Sequence, residues 1–324
     1  MDHTGQITCA TTERTAFLLR VMKGCSYNGC RFCDMFRHLK AEPTPLEDVE
    51  AECRRVADVG GRPKKVFLLD GDAMYLPTDR LTAILGFIHQ YLPGVEEINT
   101  EATVSSVLGK TPEDLALLAG LGMKHVYLGI ETALDDVLSF MNKEHNMEQA
   151  YEAVDRLKAA GMCFDCHIIT GIAGEGRGEE NSRAVADFLN KTHPHKILNF
   201  TLSIPRHAPL IDDVSSGRFR PASVQEQLEE MHYVLKNYTA YPEEGTEYYG
   251  INGCIRLHLS GNLKFRREKI LEKLDQLIDR TSHREPSDGF SGSPDKPGNR
   301  AEQEIHGCKR CITVNQEDDA AQLL

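Results

Sequence analysis

Short apolar runs alternate with amphipathic stretches from residue 15 to about 235. "TAFLLRVM" (15–22), "KKVFLLDGD" (64–72), "VEEINTEAT" (95–103), "HVYLGIE" (125–131), "MCFDCHIITGI" (162–172) and "KILNFTLSIP" (196–205) have the length of strands. Between and after them, helical periodicity covers 44–60, 78–92, 111–122, 134–142 with 147–160, 181–191 and 222–238. The first helix is expected to open on a Thr44 cap, with Pro45 in the first turn, Glu47 completing a capping box and Gly60 as the stop. Thr111–Pro112 repeats that start.

Six βα units in a row call for a parallel sheet, and the number fits a partial (β/α)6 TIM-like barrel. In such a fold the loops following the strands carry the chemistry. Residues 1–240 are therefore expected to form the barrel domain. Residues 241–281 read as a C-terminal extension, an irregular Tyr/Glu/Gly stretch followed by a charged helix. The Ser, Pro, Gly and Asp of 282–304 give little to bury and predict a flexible linker, followed by a cysteine-bearing tail over 305–324.

Composition narrows the function. Formal net charge is −12 over 324 residues, so no basic surplus is present for general nucleic-acid binding. No segment reaches the roughly 20 apolar residues of a membrane span, and no N-terminal run has signal-peptide form, so a soluble, cytoplasmic protein is expected. Ten cysteines in such a chain argue for metal or redox chemistry over a disulfide framework. Cys25, Cys30 and Cys33 share one loop. Cys163 and Cys166 lie on a predicted strand, where they point to opposite faces, leaving Cys166 or His167 to face the interior as a substrate-site group. Cys308 and Cys311, with His306 beside them and Cys254 as a third ligand, could form a zinc site or an auxiliary cluster.

Three thiolates on one loop have two physical readings. Zinc takes four ligands, or three and a water, and would need a further group from elsewhere. An iron–sulfur cluster takes one thiolate per iron, so three cysteines leave one iron open. Phe32 would shield such a cluster from water.

The loop "GCSYNGCRFCDMF" (24–36) resembles the cluster motif of radical S-adenosylmethionine (radical SAM) enzymes, usually C-x3-C-x2-C and here C-x4-C-x2-C. Gly29 is the residue expected to absorb the extra position, since glycine tolerates unusual backbone angles. "FLLDGDAMYLP" (67–77) is similar to the family's second-strand motif, which holds the SAM amino group, implying that role for Asp70, Gly71 and Asp72. The stretch 125–162 resembles the fourth unit of the coproporphyrinogen oxidase, methylthiotransferase and Elongator branch, and implies that Glu131 sits near SAM. "IITGIAGEG" resembles the fifth-strand turn, where Gly171 and Gly174 would let backbone approach the adenine, and "SIPRHAPL" the sixth-strand turn.

The resemblance implies a 4Fe-4S cluster on Cys25, Cys30 and Cys33, and SAM bound at the open iron. Reductive cleavage of SAM would give a 5′-deoxyadenosyl radical that takes hydrogen from an unidentified substrate, an oxidoreductase-like reaction. A low-potential donor such as a flavodoxin or ferredoxin would supply the electron. Two other classes stand beside this one: a non-catalytic iron–sulfur carrier or sensor, and a zinc-dependent TIM-type hydrolase.

Overall fold

The computed structural model describes residues 10–282. A 3-10 turn, Thr11–Glu13, leads into β1 (Phe17–Arg20), β2 (Met22–Lys23) and, after the cysteine loop, β3 (Glu42–Pro43) and α1 (Leu46–Asp58). Then follow β4 (Lys65–Leu69), α2 (Thr78–Tyr91), β5 (Glu97–Ala102), α3 (Val104–Leu108), α4 (Pro112–Gly120) and β6 (Met123–Glu131). The second half adds α5 (Asp135–Phe140), α6 (Met147–Ala159), β7 (Cys163–Thr170), α7 (Gly178–Thr192), β8 (Lys196–Thr201), α8 (Leu210–Ser215) and α9 (Val224–Asn237). A hairpin of β9 (Glu247–Asn252) and β10 (Leu257–Asn262) precedes α10 (Leu263–Ser282).

Eight strands form one sheet in the order β1-β4-β5-β6-β7-β8-β9-β10, parallel through β9, with β10 antiparallel at the end. Helical crossovers between parallel neighbours curl the sheet into a partial TIM-like barrel. Alternation along each strand builds two apolar layers. Leu19, Val66, Leu68, Val126, Leu128, Phe164, Cys166 and Ile197 face the helices. Phe67, Leu69, Tyr127 and Leu198 face the lumen, joined by Leu18, Phe200 and Tyr249.

The lumen floor is polar. Glu13 is fully buried there, accepting from the Tyr127 hydroxyl and from Lys196 Nζ at 3.0 Å, and Lys196 also lies 3.4 Å from Asp165. His125 Nδ1 meets Asp165 at 2.8 Å. Burial alone would raise the Glu13 carboxyl, but Lys196 and Tyr127 hold it below the usual range.

Two expectations change. Thr44 does not cap α1: its N–H bonds Val21 O at 3.0 Å, which keeps the chain extended there, and the helix starts two residues later with no side-chain cap. Thr111 does form a capping box with Asp114. Residues 241–262 hold β9 and β10, so the charged helix follows two strands that extend the barrel wall. The linker and the tail with His306, Cys308 and Cys311 lie outside the described residues.

Candidate cofactor and active site

The cysteine loop leaves β1 through β2, at the C-terminal end of the sheet. Within it Asn28, rather than Gly29, takes a left-handed φ of 51° and donates to Phe36 O at 2.7 Å. Asparagine visits this region more readily than most side chains. Gly29 is needed for a different reason, because a Cβ there would lie 2.7 Å from the Tyr27 ring.

The loop docks on the segment after α5. Tyr27 donates to Asn142 O at 2.6 Å, Asn142 donates to Gly29 O at 2.8 Å, and the Arg31 N–H bonds Met141 O at 2.9 Å. Arg37 then gathers loop carbonyls, reaching Cys33 O at 2.8 Å and Cys30 O at 2.6 Å. Cys25, Cys30 and Cys33 are all partly buried and close enough for Cys33 to raise the pKa of the other two, although burial is the larger cause; Cys30 is pushed up to about 12. Lys143 opposes this at Cys30.

Past β4 lie the predicted cofactor contacts. A Cβ on Gly71 would stand 2.5 Å from the Phe36 ring and 3.1 Å from Cys25 Cβ, so the β4 turn can approach the loop only as glycine. Asp72 is fully buried, and both its oxygens are taken. Oδ1 accepts from Thr103 N at 3.1 Å and Ser106 Oγ at 2.7 Å; Oδ2 accepts from Thr103 Oγ1 at 3.0 Å and from Ser26 Oγ. Asp72 is thus a strut tying the cysteine loop to α3. A cavity of about 410 Å³ opens beside it, lined by Ser26, Tyr27, Tyr75, Ser106 and Lys110 among others.

Asp70 is different. It pairs with buried Arg20 at 3.3 Å, yet its Oδ1 and the Arg20 Nε lack hydrogen-bond partners. Glu101, inward-facing on β5, is a site residue missed in the sequence. Burial pushes it up to about 7, with Asp70, Glu131 and Asp72 adding repulsion. Burial likewise raises Asp70 to about 6 against Arg20.

Glu131 reaches this group through a break in β6. The register with β7 shifts between Gly129 and Glu131, and Glu131 takes φ 67°. Its Oε1 then occupies the space beside Gly129, where a Cβ would lie 2.6 Å away. Lys143 pairs with it at 3.4 Å and with Glu144 at 3.6 Å. Deeper in the lumen His167 sits between Tyr127 and Phe200, with ring centroids 5.7 and 5.6 Å away. Burial, with Lys143 adding, pushes it down to about 4, so it is neutral, and its Nε2 has no partner. Cys166 points the other way, into the helix-facing core.

The fifth-strand turn is filled by the chain itself. Gly171 and Gly174 have φ of 80° and 85°. A Cβ on Gly171 would meet Gln227 at 3.2 Å, and one on Gly174 would meet Arg220 O at 3.0 Å. The Gly171 N–H is held by Glu230 Oε1 at 3.0 Å.

Among the described residues no three His, Cys, Asp or Glu side chains converge as a single metal ion requires. A cluster, whose irons each take one thiolate, needs no such convergence. Three thiolates that give one ligand to each of three irons fit a cluster, and the acids above them, with Asp70 Oδ1 unpartnered, fit a cationic ligand.

Residues 19–184, about half of the chain, match the sequence profile of the radical SAM superfamily. The chain belongs to the radical SAM superfamily. Its members are enzymes that use a 4Fe-4S cluster and SAM, and these are the cofactors of this radical SAM enzyme. It is 27% identical over 181 residues to a tRNA-2-methylthio-N(6)-dimethylallyladenosine synthase of Chlorobium luteolum, covering 54% of this chain and 40% of that protein. It is 28% identical over 177 residues to a biotin synthase of Chlorobium phaeovibrioides, covering 52% and 50%. The chain thus spans half or less of the length of these curated relatives. The fold is shared with archaeal Elp3 of Methanocaldococcus infernus (TM-score 0.54, 13% identity, 83% of this chain and 64% of that one). It is shared too with the hydrogenase maturase HydG of Carboxydothermus hydrogenoformans (TM-score 0.51, 16% identity, 80% and 57%). No helix among the described residues is long and apolar enough to cross a membrane.

Proposed function

We propose that Cys25, Cys30 and Cys33 hold the 4Fe-4S cluster, that Asp70, Glu101 and Glu131 face bound SAM, and that the substrate enters the barrel lumen. One observation carries this reading: an under-neutralised acidic group crowns the lumen beside the three-cysteine loop. A sulfonium-bearing ligand with an amino group would relieve that repulsion.

When bound, the cofactors supply a reductively generated 5′-deoxyadenosyl radical that abstracts hydrogen from substrate. The chain's own residues hold the geometry for it. Asp72 fixes the cysteine loop against α3 through Ser26. Gly71 lets the β4 turn close on Cys25. Lys143 offsets part of the Glu131 charge and faces Cys30. The lumen walls, Phe67, Leu69, Tyr127 and Phe200, keep water away from the reacting centre, and neutral His167 offers hydrogen-bonding without a charge.

The test is anaerobic incubation of the iron-loaded protein with SAM and dithionite. The expected products are 5′-deoxyadenosine and methionine, and deuterium from a true substrate should appear in the 5′-deoxyadenosine. Replacing Cys25, Cys30 and Cys33 together by Ala should remove the brown colour and the iron. Iron retained by that variant would refute the ligand assignment.

A further inference from the structure

Above its polar floor the barrel is not packed solid. Phe67, Tyr127 and Leu198 are sealed from solvent. Leu18, His167, Phe200 and Tyr249 lie on the same inner face, against those three, yet each keeps part of its surface open. A barrel interior is ordinarily filled by its side chains, so these four mark the wall of a space within the lumen.

Two of the four carry polar groups that the described residues leave unused. His167 Nε2 is buried without a hydrogen-bond partner, and the Tyr249 hydroxyl bonds no described residue. They stand level with one another. The register across β7, β8 and β9 runs His167, Leu198, Tyr249, so the two backbones are two strand spacings apart, about 10 Å. Both groups are neutral, since burial lowers the imidazole and raises the phenol. Polar atoms left unpaired inside a native fold need a reason, and an occupant of the space between them supplies one.

That occupant's charge and shape can be read from the wall. On these three strands no charge stands at this level. Below, Glu13 and Asp165 pair with Lys196, and Lys65 lies 3.9 Å from Glu13. Toward the crown, Asp70, Glu101, Glu131 and Glu144 outnumber Arg20 and Lys143. An anion would be repelled there, and an ion of either sign would leave water without a partner at mid-depth. The rings of His167, Phe200 and Tyr249 suit a flat aromatic neighbour.

We propose that His167 and Tyr249 are specificity-determining residues of the lumen, receiving a flat, uncharged ring that carries hydrogen-bonding groups at two opposite edges. The inference rests on the reading of the lumen as the substrate site. Held from β7 and β9, such a ring keeps a third edge toward the crown, where hydrogen is to be taken.

The test uses the iron-loaded full chain with SAM and no reductant, and reads binding by ligand-observed NMR titration. Three matched probes are compared: 4-hydroxybenzamide, its anionic counterpart 4-hydroxybenzoate, and the saturated trans-4-hydroxycyclohexanecarboxamide. Wild type is expected to bind 4-hydroxybenzamide about tenfold or more tightly than either of the others. His167→Phe and Tyr249→Phe each keep a ring and lose one polar group, and each should weaken that binding about three- to tenfold. His167→Gln returns a hydrogen-bonding group without the ring and should bind more tightly than His167→Phe, which a packing role for His167 would not produce. Melting temperatures report folding, and Tyr249→Phe, which removes a single hydroxyl, carries the comparison if a His167 variant does not fold. Preference of wild type for the anion or the saturated amide would overturn the proposal. So would unchanged binding in both Phe variants, or no binding of 4-hydroxybenzamide by wild type. Absence of 5′-deoxyadenosine when dithionite is added would instead refute the catalytic reading, while the binding comparison still judges the two side chains.

Discussion

Asp72, which the sequence suggests as a SAM contact, is a strut, and Glu101 on the neighbouring strand, which the sequence does not single out, faces the other acids. Asp72 accepts four hydrogen bonds and has no capacity left for a ligand, whereas Glu101 has its carboxyl turned to other acids. Replacing Asp72 by Ala strands Thr103, Ser106 and Ser26 donors and should cost roughly 2–4 kcal/mol. Reconstituted iron should fall with it, read by melting temperature and iron analysis. Glu101→Gln should do the reverse to the cofactor-free protein. Removing one of several repelling carboxyls should stabilise it at neutral pH by on the order of 1 kcal/mol, while SAM binds more weakly. A calorimetric titration beside a melting curve checks both signs. The three cysteines were legible because their chemistry is written in consecutive residues. Glu101 was not, because its neighbours Asp70 and Glu131 come from other strands, and only lateral register brings them together.

Strands and helices of the six repeating units were readable from apolar periodicity, which the two packed layers impose on each strand. The hairpin β9–β10 escaped because the buried positions of β9 are Tyr248, Gly250 and Asn252, with no aliphatic side chain among them to mark its inner face. The Thr44 cap failed because a tertiary bond to Val21 outweighed a local one. The bulge in β6 is the element on which the site depends. Gly129→Ala would press on Glu131 Oε1, and should cost about 1–3 kcal/mol and displace the Glu131–Lys143 pair; a loss of SAM affinity larger than the loss of stability would identify it. Glu230, on α9 and facing Asn181 of α7, offers a pH measurement. Burial pushes its carboxyl up to about 8, against hydrogen bonds from Asn181 and Gly171. A folded pKa above the unfolded 4.5 means its contribution is fully present below 4.5 and lost as pH rises toward 8. Glu230→Gln should flatten that decline in melting temperature.

At the scale of the molecule, the floor and the crown of the barrel answer to opposite ends of the pH range. Glu13, held low by Lys196 and Tyr127 despite burial, stabilises the fold above its unfolded pKa of about 4.5, and that contribution disappears as acid takes pH through the folded value. Glu13→Gln should therefore weaken the protein at neutral pH and lessen its further loss of stability in acid, measured by melting temperature from about pH 3 to pH 6. We expect removal of residues 283–324 to leave melting temperature and SAM cleavage unchanged, since α10 already closes the core with Leu271, Leu274 and Leu277. A fall of about four irons per chain would place a second cluster on Cys308 and Cys311.

The sheet does not return to its beginning: β1 stands at one end and antiparallel β10 at the other. A closed hoop has its bore fixed by strand number and shear, and it leaves no backbone edge on which to build. Among the described residues neither edge pairs with a further strand; the β1 edge leads into the cysteine loop, whereas the β10 edge stands at the far end of the sheet from it. Additional polypeptide, whether from this protein or from a partner, can pair along β10 or β1 and lengthen the wall. Growth along β10 leaves the cysteine loop at the opposite edge undisturbed, so a barrel of this kind can acquire a new side wall for a new substrate while its cofactor end stays as it is.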